Sequence, residues 1–328
     1  MTIYLNSLGT LSFTDTPIAV VPDESARKFY VLMQLPPDIT GSYIVPVSYQ
    51  NGQAIAGSNI YLWKDNLNIA LDPKRKRLYG APDLYEISGF GIKIYDTSNE
   101  FNLIDVIGYG GNIDLNSDEF SVPSMAVFDD LLVVGLATPS LGEVWVYDLV
   151  TKQSNYYPTT SYQFASSQFV YHRDTIFFTS AGWNLYWISK GANNISQLAI
   201  PQGPPAGIAL DRNNARLYVP IQEGTGLVNI YSLASLPPIS VGLPISLQAA
   251  PFFGTTTVID NLNRYQYIST VASPGILMFD INSNQVINPQ SPPIQPEARP
   301  LSIIEQDHVI CAVYSSNKRV TLYQQTSS

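Results

Sequence analysis

One phrase recurs seven times along this chain, and a repeat of that period restricts the fold more than any single motif does. Its plainest copies are IALDPKRKRLYG (69–80) followed by IKIYD (92–96), and IALDRNNARLYV (208–219) followed by VNIYS (228–232). An apolar run meets a polar turn, a second apolar run returns, and a third follows after a gap. Five further copies of the paired runs lie at 18–34, 124–138, 168–181, 256–270 and 301–315. Two β-rich runs flanking a short turn with Asp, Asn or Arg are a hairpin signature. The third run alternates aromatic or β-branched residues with others, which is the period of a strand. These strands are labelled A, B and C. A weaker D-strand, as in NLIDVIGY (102–109), completes the phrase.

A-strands begin near 18, 68, 124, 168, 207, 256 and 301, a mean step of about 47 residues. A four-stranded blade takes roughly 40–50 residues and cannot bury both faces alone, whereas blades stacked in a ring can. The expected fold is therefore all-β, a seven-bladed β-propeller of four-stranded antiparallel blades. The chain ends give an independent check. After the seventh C-strand only QQTSS remains, while TIYLNSLGTLSF precedes the first A-strand. The N-terminal segment is expected to supply the outer strand that the last blade lacks, closing the ring. On this reading residues 1–328 form a single domain, with blades at approximately 17–63, 64–110, 120–160, 163–201, 204–247, 252–290, and 298–325 plus 2–14.

The two plainest copies carry a resemblance to the seven-bladed, WD40-like propellers of the YVTN/NHL-like superfamily. The resemblance in pattern spans the chain, but its motifs report how a blade is built. It implies a fold and little chemistry, since unrelated functions share such a fold. Some propellers of this kind hydrolyse lactones with a metal held in the central channel by acidic and Asn side chains. Here the channel-lining A-strands read as apolar or as bearing Ser, Thr and Gln, a departure that counts against that activity.

Composition narrows the rest. Charged residues are only 13%, so Ser, Thr, Asn, Gln and Tyr must cover much of the surface. The net charge of −9 opposes generic nucleic-acid binding, which needs a positive field over the phosphates. The one Cys, Cys311 in HVICAVYS, reads as a buried filler. The N-terminus lacks the basic and apolar regions of a signal peptide, and no run approaches the roughly 18 apolar residues of a spanning helix. Compartment and oligomeric state are not readable. The low charge suits an extracellular or virion surface by composition alone.

In a propeller the A–B and C–D turns share one face, and the B–C loops and D–A links share the other. The long segments (35–42, 80–91, 108–123, 156–166, 245–255 and 289–300) are nearly all of the second kind. Long loops on a rigid frame are where binding resides. The partner-binding candidates are accordingly Tyr85, Glu86, Phe90, Tyr109, Tyr156, Tyr157, Tyr162, Glu223, Phe252 and Phe253. Tyr offers a rigid apolar face and a hydroxyl, suited to protein or sugar recognition. The competing reading is that these loops pack upon themselves.

Three local motifs stand out. Asp114, Asn116, Asp118 and Glu119 place hard oxygens on alternate residues, as a Ca²⁺ loop does. Glu119 and Met125 occupy positions where an EF-hand needs Gly and Glu, so a solvated acidic loop is the first reading and Ca²⁺ the second. Lys74–Arg77 falls in an A–B turn and reads as a solvated hairpin tip. His172 and His308 fall by the A–B turns of two separated blades, which does not suit a shared zinc site. No GxSxG, P-loop, HExxH or GxGxxG motif occurs. The leading reading is a non-enzymatic scaffold that binds a protein or glycan through the B–C/D–A face. A metal-dependent hydrolase or lactonase at the channel mouth is second, and a structural subunit joined through blade edges is third.

Overall fold

Alternating side chains leave each strand with two faces to bury, and stacking sheet on sheet buries both. The structure, a computed structural model, describes residues 3–36, 41–62, 66–82, 91–111, 121–138, 142–159, 168–180, 182–252, 257–287 and 294–327. It is a seven-bladed propeller of antiparallel sheets. In A-to-D order, blade 1 is Thr16–Asp23, Lys28–Gln34, Ser42–Gln50 and Gln53–Ala56, with Ile60–Leu62 also on the third strand. Blade 2 is Asn66–Asp72, Arg77–Pro82, Gly91–Asp96 and Asn102–Gly108. Blade 3 is Ser121–Phe128, Leu131–Ala137, Gly142–Asp148 and Ser154–Thr159. Blade 4 is Val170–His172, Thr175–Ser180, Asn184–Ser189 and Ser196–Ala199. Blade 5 is Ala209–Asp211, Arg216–Ile221, Leu227–Ser232 and a broken outer strand, Ile239–Ser240 and Ile245–Ser246. Blade 6 is Thr257–Asp260, Tyr265–Ser269, Ile276–Asp280 and Gln285–Ile287. Among the described residues no helix is long and apolar enough to cross a membrane.

Blade 7 combines Leu301–Ile304, Val309–Tyr314 and Arg319–Ser327 with the N-terminal strand Ile3–Ser12. The expected latch is therefore present. Its register runs from Ile3 opposite Ser327 to Ser12 opposite Arg319, with a bulge between Ser7 and Gly9. The strand contributes to two seams at once. Ile3 and Leu5 enter the core shared with blade 6, while Leu8 enters the core shared with blade 1. Fully burying a side chain of this size is worth about 1.5–3 kcal/mol, so the strand adds cohesion on both sides of the closing blade.

The hydrophobic core is not central. Among the described residues it is divided into seven clusters, each lying between two neighbouring blades. Trp145 fills the seam of blades 2 and 3, Phe178 and Tyr186 stack between blades 3 and 4, and Phe279 meets Tyr218 between blades 5 and 6. Cys311 is completely buried in the closing seam, and burial pushes its thiol pKa well up.

The Asp that ends several A-strands holds its own turn. Asp23 accepts from the Ala26 N–H at 3.0 Å, Asp211 from those of Asn213 and Asn214 at 3.0 and 3.2 Å, and Asp260 from those of Leu262 and Asn263 at 3.0 Å. Asp72 does the same for Arg75 at 3.0 Å. Such side-chain acceptors stand in for the missing backbone partner of a tight turn. The Lys74–Arg77 turn departs from the expected solvated tip. The Arg75 side chain is only 25% exposed; it pairs with Asp72 at 2.8 Å and reaches across to the Asp130 carboxylate and Asp129 carbonyl of blade 3. A turn at a blade edge lies next to another blade, and that proximity makes Arg75 an inter-blade tie.

Candidate functional site

Both faces of the ring expose turns. On the A–B/C–D face, charged groups are engaged with each other across blades. Arg264 of blade 6 forms a two-pronged pair with Asp211 of blade 5 at 2.6 and 2.7 Å. Arg212 of blade 5 reaches Glu305 of blade 7, and Asn261 between them also contacts Glu305. His308 meets Asp260 at 2.6 Å, and Asp307 takes a hydrogen bond from the Tyr49 hydroxyl and an ion pair from Arg27 at 3.3 Å. This face is a girdle of mutual contacts. His308 thus serves a seam, while burial lowers the pKa of His172 on blade 4.

On the B–C/D–A face the described residues include exposed apolar side chains. Trp183, in the short B–C turn of blade 4, is 49% exposed and has left-handed backbone with φ of 60°. A bulky residue at positive φ is an outlier, strained by about 1–3 kcal/mol. Its carbonyl is fixed by the Ile200 N–H at 2.6 Å, and Asn184 spans back to Gly182 at 2.6 Å. The turn therefore holds a large apolar ring toward solvent. In blade 5, Gln222–Gly226 forms a compact B–C turn. Gly226 has φ of +78°, and a Cβ there would lie 2.5 Å from the Ala249 carbonyl oxygen, so only glycine fits. Glu223 at its tip is exposed. Val271 of blade 6, 39% exposed, adds apolar surface.

The predicted candidates divide among several places. Tyr109 and Tyr156 come together, but as part of the seam of blades 2 and 3. Their rings meet edge to face at 5.4 Å, and both contact Trp145. The Tyr109 hydroxyl bonds the buried Glu143 carboxylate, and the Tyr156 hydroxyl accepts from the Gly110 N–H at 2.9 Å. Tyr156 and Tyr157 were expected in a loop; the structure places both in the outer strand Ser154–Thr159. Two adjacent tyrosines on a strand point to opposite faces, so Tyr157 turns toward blade 4. It is buried there, with its hydroxyl on the Ala192 carbonyl at 3.0 Å and its pKa raised by that burial. Phe252 lies in the link into blade 6, its ring under the guanidinium of Arg299 at 4.4 Å. Tyr85, Glu86, Phe90, Tyr162 and Phe253, and the acidic set Asp114, Asn116, Asp118 and Glu119, lie outside the described residues.

The central channel is lined by both polar and apolar groups. On the loop face it opens as a cleft of about 240 Å³ between Ile18–Val21, Ile69, Met125 and Leu301, with Asn68, Arg299 and Ser315 at its border. A second cleft of about 440 Å³ follows the A-strands of blades 3 to 7 to Arg212, Asn261 and Glu305. Gln168 of blade 4 crosses this space to the Thr257 N–H of blade 6 at 3.2 Å. A channel-mouth hydrolase would need carboxylates converging on one entrance. One entrance here carries a guanidinium, and at the other Glu305 is engaged by Arg212 and Asn261. Among the described residues, no three His, Cys, Asp or Glu side chains are grouped to hold a metal.

Two of these features were absent from the sequence reading. Trp183 lies in the gap between the run that ends at Ala181 and the C-strand run NLYWISK (184–190), and Arg299 lies in the proline-rich link 289–300. A Gly-Trp pair at a hairpin tip was the available signal for the first.

No protein-family profile matches the chain, and no curated protein matches it. Among solved structures, the crystal structure of the Myceliophteria thermophila Cps50 (Swd1) β-propeller domain is similar, with a TM-score of 0.69 and 10% identity. The likeness covers 98% of this chain and 99% of that one. At that identity it shows that the chain has the β-propeller fold, a fold commonly used as a protein-interaction scaffold.

Proposed function

We propose that this protein is a non-enzymatic recognition scaffold that binds a protein or glycan partner through its B–C/D–A face. The observation that carries the reading is Trp183. An exposed Trp at positive φ lowers the stability of the free protein, and tryptophan is among the residues that dominate binding interfaces. Strain of this kind persists where the surrounding structure imposes it and clusters at binding sites. The exposed Glu223 of blade 5 and Val271 of blade 6 add polar and apolar surface to the same face. Kinship with the YVTN/NHL-like superfamily belongs to this proposal and rests on the repeat phrase. Placement at an extracellular or virion surface belongs to it too and rests on the low charge.

The test is Trp183→Ala, with Trp183→Gly as a companion that also relieves the backbone. Both variants are expected to fold, with unchanged circular dichroism, and to lose capture of the partner recovered from the native source by at least tenfold, the scale of a hot-spot residue. Capture at wild-type strength by both would overturn the reading.

A second reading, a subunit joined through blade edges, is favoured by one observation. The outer strand Asn102–Gly108 of blade 2 exposes Leu103, Ile104 and Val106. An unpaired edge with apolar side chains is a template for pairing with another chain.

A further inference from the structure

Arg27, Arg75, Arg77, Arg212 and Arg264 each face a carboxylate. Arg299 faces an aromatic ring instead. Its backbone is pinned at the entry to blade 7, where its N–H donates to the Val313 carbonyl at 2.7 Å and the Pro300 carbonyl accepts from Val313 at 3.1 Å. Phe252 is pinned in turn by donating its N–H to the Ser269 carbonyl at 3.0 Å. The guanidinium lies over the Phe252 ring, with Cζ 4.4 Å from its centroid. A cation–π contact holds the group at the ring without a carboxylate partner for its charge. Arg299 is exposed, and among the described residues no carboxylate pairs with it, Glu297 included. It also borders the 240 Å³ cleft at the loop-face mouth of the channel, whose walls are Ile18, Ile69, Met125 and Leu301.

We propose that Arg299, held over Phe252, is the anchor of a carboxylate-binding site in which the aliphatic side chains of the adjoining cleft, Ile18 and Met125 among them, take the short aliphatic body attached to that carboxylate. Three features define the ligand chemistry. The planar fork of the guanidinium matches the two oxygens of a carboxylate. In a chain of net charge −9, a cation that no described carboxylate neutralises is, at a channel mouth, a local attraction for an anion. The cleft is smaller than the roughly 300 Å³ at which drug-sized ligand pockets begin, so it admits one short chain of carbons and excludes a bulky one. The same chemistry is offered by a free short-chain fatty acid and by the C-terminal Leu of a peptide. The site goes beyond the recognition reading: it involves neither Trp183 nor the identity of a macromolecular partner.

The experiment titrates the full-length protein with hexanoate, with hexanamide, and with acetyl-Gly-Gly-Leu bearing either a free or an amidated C-terminus, followed by calorimetry and ligand-observed NMR. Saturable binding of hexanoate or of the free-acid peptide is expected, with the matching amide weaker by roughly tenfold or more, the scale of a lost charge-assisted hydrogen bond. The tighter of the two acids identifies the source. Arg299→Gln is expected to abolish the preference for acid over amide. Phe252→Leu, which keeps the charge but frees the guanidinium, should weaken the acid by a smaller factor. Arg299 is a surface residue, and the circular dichroism of its variant verifies the fold. Absence of saturable binding by both acids, or equal binding of acid and amide to the wild type, overturns the proposal, as does wild-type acid binding by Arg299→Gln. Because the probes are small, these results are read independently of partner capture by Trp183 variants.

Discussion

The Asp211–Arg264 pair gives the sharpest test of how neighbouring blades are held. The Asp211 side chain is fully buried and that of Arg264 is 14% exposed. The carboxylate takes two guanidinium bonds from blade 6 and three bonds from its own turn, from the N–H groups of Asn213 and Asn214 and the Asn214 side chain. Asp211→Ala removes all five and leaves a largely buried guanidinium without its partner. Breaking a buried pair in this way costs about 3–5 kcal/mol, well above the 0–1 kcal/mol of an exposed pair. Asp211→Asn keeps the acceptor for the turn and loses the charge, so a smaller loss is expected. The double variant Asp211→Ala/Arg264→Met removes the stranded cation and should recover part of the stability. The assay is urea denaturation followed by fluorescence and circular dichroism. A pH series adds a sign. Burial by itself would raise the Asp211 pKa, but Arg264 and Asn214 outweigh it, so the folded value lies below the ordinary one. The stabilisation is therefore complete above the usual carboxylate value near ~4 and is lost as the pH falls through the lower, folded value. The gap between wild type and Asp211→Asn should close on that acid side. A loss for Asp211→Ala within about 0.5 kcal/mol of wild type, or no coupling in the double variant, would refute the reasoning.

Two further outcomes follow from the seams. Deleting residues 3–12 should unlatch blade 7 and expose the Ile3, Leu5 and Leu8 seams, seen as a large drop in the denaturation midpoint and increased dye binding to apolar surface; an unchanged midpoint would contradict closure by this strand. Cys311, fully buried with its thiol pKa pushed up by burial, should resist alkylation in the native protein at pH 8 and react completely in urea, which mass spectrometry reports; rapid native labelling would place it elsewhere.

The architecture was legible because it is written in nearest neighbours along the chain. Alternation marks the strands, Asp72, Asp211 and Asp260 mark the turns they cap, and the shortage of a seventh outer strand points to the N-terminus. The site was only partly legible, because its contacts join blades distant in sequence. Tyr109 and Tyr156 look like free loop aromatics until blade 3 is set against blade 2 and Trp145 is found between them. Arg75 looks solvated until Asp130 is placed beside it. Trp183 falls in the gap between the B- and C-strand runs of blade 4, and nothing in the period shows that its backbone takes positive φ. Arg299 is hidden by its prolines, and its partner Phe252 lies in the preceding link, one blade away. A repeat specifies which blades are neighbours. It does not specify which side-chain tips meet.

The central claim, that recognition occurs on the B–C/D–A face, is tested most directly by hydrogen–deuterium exchange of the protein with and without its captured partner. Protection is expected at Gly182–Asn184, Gln222–Gly226 and around Val271, with the A–B turns unchanged. Protection confined to Asn102–Gly108, or to the A–B turns, would contradict it.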